Sequence, residues 1–262
     1  MNLAEQLATF TSRGFSEERA ETIVLMREAA IVLFEAFPDV LLLVGGASLI
    51  LFQDSVRHSA DLDFAPLGAD VPRIELLTSV LTEGLRPLAV LLGSDPLGFK
   101  ILNSSTALTE LMVLAKQRKP LFTIDISGMG PVIKQGRETH ALEAAGTTRT
   151  AQVKSASRDH LLLQKMQAFL LRRILKARDA YDILLLVDRG ATLSGNLEQH
   201  LEDMLVGEFN SDRIRERIES IDSKLCRADL KTILPESEYA PLEESNFQPV
   251  RDALGRVFER WL

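Results

Sequence analysis

A single cysteine, Cys226, leaves this 262-residue chain no means of forming an internal disulfide, which fits a reducing compartment. Long apolar runs are missing too: Ile183 to Val187 and Val40 to Val44 fall far short of the roughly 20 residues a membrane span needs. Met1 to Phe15 carries neither a basic leader nor a continuous apolar segment, so no secretory signal is expected, and the cytoplasm is the expected location. Nor is there an excess of positive charge. A formal net charge of −7 argues against a surface that is basic everywhere, the commonest footprint of a nucleic-acid binder. A local basic groove is still open to it. The candidate stretch carries Lys165, Arg172, Arg173, Lys176 and Arg178, whose plainer reading is a solvated helix face.

Several catalytic signatures are also missing. None of His58, His140, His160 and His200 stands at metal-ligand spacing from another histidine or from the cysteine, and no G-x-S-x-G elbow occurs. The absence of G-x-x-x-x-G-K-[ST] and of G-x-G-x-x-G disfavours a P-loop NTPase and a dinucleotide-dependent dehydrogenase.

What is present is an ordinary globular composition, 46 % hydrophobic and 26 % charged, with no low-complexity tract. Apolar residues at helical spacing predict a helix over 18–37, ended by Pro38. Val40 to Val44 reads as a strand, Gly45-Gly46 as a turn, and Ala47 to Phe52 as a short helix. Alternation in Asp61 to Ala65 and in Phe122 to Ile126 predicts two strands. Arg86 to Leu92, Phe99 to Leu102 and Leu111 to Ala115 read as three more, with a helix over Glu75 to Thr82. After about Thr150 the strand signals fade. Helices are expected from Asp159 to Leu175, capped by Ser157, then over Arg178 to Val187, Leu197 to Val206, Asp212 to Ile221 and Gln248 to Leu262. The expected architecture is α+β: a mixed sheet flanked by helices over 1–155, then a helical bundle over 156–262.

A period of two places Asp61 and Asp63 on one face of their strand, and Thr123 and Asp125 on one face of theirs. Three such carboxylates can form an oxygen cage for a hard dication, and magnesium is the natural occupant. A lone D-x-D is more often two solvated carboxylates on an edge strand. Here, however, Gly45-Gly46 stands between a strand and a helix, where missing side chains let backbone N–H groups approach phosphate.

With G-G-A-S-L at Gly45 to Leu49 and R-H-S-A-D-L-D-F at Arg57 to Phe64, the sequence resembles the AbiEii toxin family of polymerase-beta-type nucleotidyltransferases. That family's first motif is similar to G-G-T-A-L followed by R-x-S-x-D-L-D-F, and Arg57, Ser59, Asp61, Leu62, Asp63 and Phe64 match it position by position. Ala47-Ser48 replaces Thr-Ala, so the hydroxyl of Ser48 is displaced by one position. A second block resembles the family's K-L-x-A-x-x-x-R helix, with Lys165, Ala168 and Arg172 at the required spacing and Met166 in place of leucine. A third, K-A-R-D-A-Y-D-I-L-L-L at Lys176 to Leu186, resembles R-D-x-Y-D-L and supplies Asp179 and Asp182.

The resemblance implies an N-terminal nucleotidyltransferase domain and a magnesium-dependent transfer of NMP from an NTP. Asp61, Asp63 and Asp125 would hold Mg2+, while Gly45, Gly46, Ser48, Arg57, Ser59, Lys165, Arg172 and Asp179 would contact the nucleotide. Asp182 would touch the nucleotide, support Lys165 or act as a base for the acceptor hydroxyl. Asp179 has the rival reading of a cap or a partner for Arg178 or Lys176, and Ser59 that of a turn hydrogen bond. RNA, in particular a tRNA 3′ end, is the implied acceptor, and an antitoxin the implied partner. A small-molecule or protein acceptor, or a nucleotide-binding module without turnover, are the alternatives.

Overall fold

The computed structural model describes residues 2–68, 71–105, 108–128, 135–206 and 210–262. The chain divides into two units: 1–54 with 58–156, and 157–262 with the short segment 55–57. Nothing in the sequence hinted that three residues immediately upstream of the D-L-D strand would count with the second unit.

The first unit runs α1 (Leu3–Thr11), α2 (Glu17–Ala36), β1 (Leu41–Val44), α3 (Gly45–Phe52), β2 (Asp61–Pro66), α4 (Ile74–Leu91), β3 (Gly98–Ser104), β4 (Leu108–Leu114), β5 (Pro120–Ser127), β6 (Arg137–Glu143) and β7 (Thr150–Ala156). One seven-stranded sheet, ordered β3-β4-β5-β2-β1-β7-β6, carries them. It is mixed: β2 pairs parallel with β5 and β1 parallel with β7, while the other pairings are antiparallel. The short apolar run of β1 is buried at all four positions, as a central strand requires. α2 is buried along almost its whole length from Ala20 to Phe34, which explains why it is apolar all round instead of amphipathic. Phe34 packs on Phe64 of β2 with ring centroids 6.0 Å apart. Leu62, Phe64, Leu111, Val113, Phe122, Ile124 and Ile126 belong to the same core as α2. By alternation, Asp61, Asp63, Thr123 and Asp125 stand on the opposite face of the sheet.

Two expectations are corrected. Arg86 to Leu92 is not a strand; it is the second half of α4, whose buried Leu77, Leu81, Leu85, Leu88 and Ala89 form one continuous helical stripe through Pro87. Strands do not fade at Thr150, since β7 begins there. Its partner β6 went unread because most of its residues are exposed and it shows no apolar alternation. α1 was also unread; an Asn2–Glu5 capping box starts it.

The second unit is helical: α5 (Arg158–Leu171), α6 (Ala177–Asp188), α7 (Asn196–Leu205), α8 (Ser211–Glu219), α9 (Ser223–Leu230), α10 (Glu236–Glu244) and α11 (Gln248–Phe258). Of these, α9 and α10 were not expected. α5 stops at Leu171 because Arg172 turns to extended backbone, so the five cations from Lys165 to Arg178 do not share one helix. α6 ends as its glycine foretold: Gly190 takes φ +81°, and Ala191 N–H donates to the Leu186 carbonyl, closing the helix. Cys226 is buried, and burial pushes its thiol up to about 11, a poor nucleophile. Among the described residues, no helix is long and apolar enough to cross a membrane.

Candidate functional site

Seven of the residues singled out above lie in the first unit: Gly45, Gly46, Ser48, Ser59, Asp61, Asp63 and Asp125. The other five, Arg57, Lys165, Arg172, Asp179 and Asp182, lie in the second.

In the sheet, the parallel register of β2 and β5 sets Asp61 beside Thr123 and Asp63 beside Asp125. Register partners share a face, so these four side chains rise from one patch. The Thr123 hydroxyl donates to Asp61 Oδ1 at 2.6 Å, fixing one carboxylate. Asp125 Oδ1 is buried and accepts no hydrogen bond from the described residues. Burial pushes the Asp125 carboxyl above its ordinary range; a hydrogen bond from Ser127 opposes the rise, and the charges of Glu110 and Asp61 add to it. Glu110 is the residue that sequence reasoning missed. It pairs with Asp125 across β4 and β5, and the alternation of Glu110, Met112 and Leu114 against Leu111 and Val113 is the signal that could have found it.

All these donors are carboxylate oxygens, the chemistry a hard dication takes, and a buried carboxylate oxygen without a donor is what such an ion would satisfy. As the side chains stand, no three His, Cys, Asp or Glu residues among those described converge tightly enough to enclose an ion. Asp63 is turned toward Gly45 instead. β1 ends at Val44, which pairs with Asp63, and the next residue, Gly45, opens α3 with φ +68°. A Cβ on Gly45 would lie 2.0 Å from Asp63 Oδ2 and 2.7 Å from its Cγ, so the carboxylate occupies the space that the missing side chain leaves. Gly46 and Ser48 follow in the first turn of α3. Ser48 is fully buried, and its hydroxyl has no hydrogen-bond partner among the described residues. Ser59 is also buried.

Gly45→Ala therefore meets both a steric and a conformational penalty, and the two together should cost roughly 2–3 kcal/mol. Urea denaturation measures this. In the double variant Gly45→Ala/Asp63→Ala the steric share should be recovered while the φ strain remains. Equal destabilisation with and without Asp63 would mean that the carboxylate does not depend on this glycine.

In the second unit, charge is concentrated and buried. Arg57 donates to Asp182 through Nε at 2.7 Å and Nη2 at 3.0 Å, a bidentate pair. Lys165 Nζ lies 2.9 Å from Asp182 Oδ2 and 3.8 Å from Asp179 Oδ1. Arg172 Nε is 3.0 Å from Asp179 Oδ2. That contact lacks hydrogen-bond alignment, so both Asp179 oxygens are buried without a hydrogen bond among the described residues. Burial alone would raise the Asp182 carboxyl, but Arg57 and Lys165 outweigh it and hold the group below its usual range. Burial likewise opposes the Arg57 charge, and Asp182 overrides it, leaving the guanidinium raised. The K-x-x-A-x-x-x-R and R-D-A-Y-D segments are thus joined in one network of three cations and two carboxylates. Asp179 pairs with Lys165 and Arg172, not with Arg178 or Lys176.

A family model described as nucleotidyl transferase AbiEii toxin, type IV toxin–antitoxin system, matches residues 30–259. Among solved structures, a Helicobacter pylori protein described as a candidate nucleotidyltransferase aligns with TM-score 0.58 and 18 % identity, covering 94 % of this chain and 97 % of its own. JHP933 from Helicobacter pylori aligns with TM-score 0.56 and 18 % identity over 94 % of both chains. Both share the fold. No curated protein matches the sequence.

Proposed function

The chain belongs to the AbiEii family of nucleotidyltransferase toxins of type IV toxin–antitoxin systems, and from that premise we propose a magnesium-dependent enzyme that moves NMP from an NTP to an RNA hydroxyl, with a tRNA 3′ end as acceptor. The observation that carries this reading is the patch of Asp61, Asp63 and Asp125 on two parallel strands, with the buried Oδ1 of Asp125 lacking a donor.

Asp61, Asp63 and Asp125 would hold Mg2+. When bound, the ion neutralises phosphate oxygens and the departing pyrophosphate. The chain's own groups have separable tasks. Gly45 and Gly46 carry no side chain at the start of α3, the helix end that a phosphate would approach, with the Ser48 hydroxyl one turn in. Thr123 fixes the rotamer of Asp61. Lys165 supplies a cation for the triphosphate, and Arg172 a second one that is partly exposed. Asp182, of the three roles open to it, takes that of positioning Lys165, because its oxygens are already committed to Arg57 and Lys165. Asp179 and Ser59 are assigned to the nucleotide. The type IV family also implies an antitoxin partner.

The test is label transfer. Purified protein is incubated with each α-labelled NTP and total RNA, with Mg2+ or with EDTA. Label should enter the RNA fraction only with Mg2+, fall to background with EDTA, and return when Mg2+ is restored in excess. Label that ignores EDTA would overturn the metal assignment. Label found only on protein or on small molecules would overturn the acceptor.

A further inference from the structure

We propose that a cleft in the first unit, along β3 and the turn joining β4 to β5, holds the phosphate backbone of a single-stranded polynucleotide and leads it to the carboxylate patch. This rests on the nucleotide-transfer reading above and adds residues to it that no motif marks.

The cleft has a volume of about 880 Å3 and is lined by Gly98 and Lys100 of β3, Met112 and Leu114 of β4, and the turn residues Lys116 and Arg118, among others. Its lining contains three cations and no carboxylate, in a chain whose formal charge is −7. Local sign reversal of this kind is what draws a polyanion to an otherwise acidic protein. Lys100, Lys116 and Arg118 are exposed, and none forms a side-chain ion pair among the described residues. The neighbouring Lys119, by contrast, is taken by Glu18.

The turn is built to present these cations. Gln117 and Arg118 both have positive φ, 64° and 61°, a conformation that residues other than glycine rarely adopt. Backbone bonds hold it there: Ala115 N–H donates to Lys119 O, Arg118 N–H to Ala115 O, and Lys116 N–H to Ser94 O. The floor between the cations, Met112 and Leu114, is half-buried and apolar, a surface on which bases can rest.

Register connects the cleft to the carboxylates. Lys100 pairs with Met112, Met112 with Thr123, and Thr123 with Asp61, so one row of side chains crosses β3, β4, β5 and β2 on a single face of the sheet. Three strand spacings separate its ends, roughly 14 Å. A strand lying on Lys100 and the turn would therefore bring its terminus toward Asp61 without leaving that face.

The experiment is a binding titration with the full chain, without NTP or Mg2+, using a short fluorescein-labelled single-stranded RNA at several salt concentrations. Lys100→Ala/Lys116→Ala/Arg118→Ala should weaken binding at low salt at least tenfold. It should also reduce the slope of log K against log salt by roughly 2, at about 0.7 per lost contact. A control with equal charge change, Arg86→Ala/Lys224→Ala/Lys231→Ala, removes exposed cations elsewhere and should keep both affinity and slope. Unchanged affinity and slope in the cleft variant would overturn the proposal. So would an equal loss in the control, which would reduce the effect to net charge. Binding of poly-glutamate but not RNA, lost in the cleft variant, would overturn it in favour of an acidic protein partner. Because the titration contains neither NTP nor Mg2+, it reads the cleft alone, and failure of the transfer reading and failure of the cleft are seen in different assays.

Discussion

Asp61→Asn/Asp63→Asn should abolish label transfer while leaving the protein as stable as before. Asparagine keeps the volume and one acceptor oxygen of each side chain, so the Thr123 hydroxyl still has a partner at position 61 and the space over Gly45 stays filled. What disappears is charge. Two of the three carboxylates proposed to hold the metal become neutral amides, and stabilisation worth several kcal/mol at the transition state is lost. At about 1.4 kcal/mol per factor of ten, a loss of roughly 4 kcal/mol is about 10³-fold in rate, below detection in most gel assays. Stability should hold or rise slightly, because Asp61 is one of the charges raising the Asp125 carboxyl, and its removal relieves like-charge repulsion. Rate and thermal midpoint, measured on the same preparation, decide the matter. A variant that still transfers label at a tenth of the original rate would remove these residues from the metal-holding role, and a collapse in thermal midpoint would make them structural.

How much of this was legible in the sequence follows from the range of the interactions involved. The D-L-D strand, the glycine pair and the β5 alternation are local patterns, and local patterns were read correctly: Asp61, Asp63, Thr123 and Asp125 do share a face. The α+β class followed from the same reading. Arg86 to Leu92 failed because a short, largely apolar run can be strand or helix, and the buried stripe that decides it is visible only over the whole of α4. β6 failed for the opposite reason, since its exposed residues carry no period to detect. The harder losses are pairings across the chain. Arg57 was placed in the motif, yet nothing in the sequence tells that its partner is Asp182, 125 positions away. Glu110 has no motif at all and becomes interesting only because register sets it opposite Asp125. Three cations in the cleft beside it are unremarkable in sequence. Their meaning comes from the absence of any acid among the residues that line it.

Asp182→Ala should cost more stability than any other single change considered above, about 3–5 kcal/mol, because it leaves buried cations without their counter-ion. Asp182 is fully buried; Arg57 is 3 % exposed and donates to it through Nε and Nη2. Among the described residues, Lys165 would keep only Asp179, at 3.8 Å. Asp182→Asn keeps an acceptor but not the charge and should fall between the two. Replacing the pair with apolar residues, as in Asp182→Leu/Arg57→Met, should recover part of the loss, since it removes the stranded charge along with its partner. The dependence on pH gives an independent readout. The folded-state pKa of Asp182 is depressed, so its contribution is fully present above the unfolded value of about 3.9 and is lost as pH falls through the folded value. In urea titrations below about pH 4, the unaltered chain should therefore lose stability more steeply than Asp182→Asn, with the two curves converging toward the acid limit. Parallel curves would show that the carboxylate carries no net charge-dependent stabilisation, and that Lys165 and Arg57 are held by something other than Asp182.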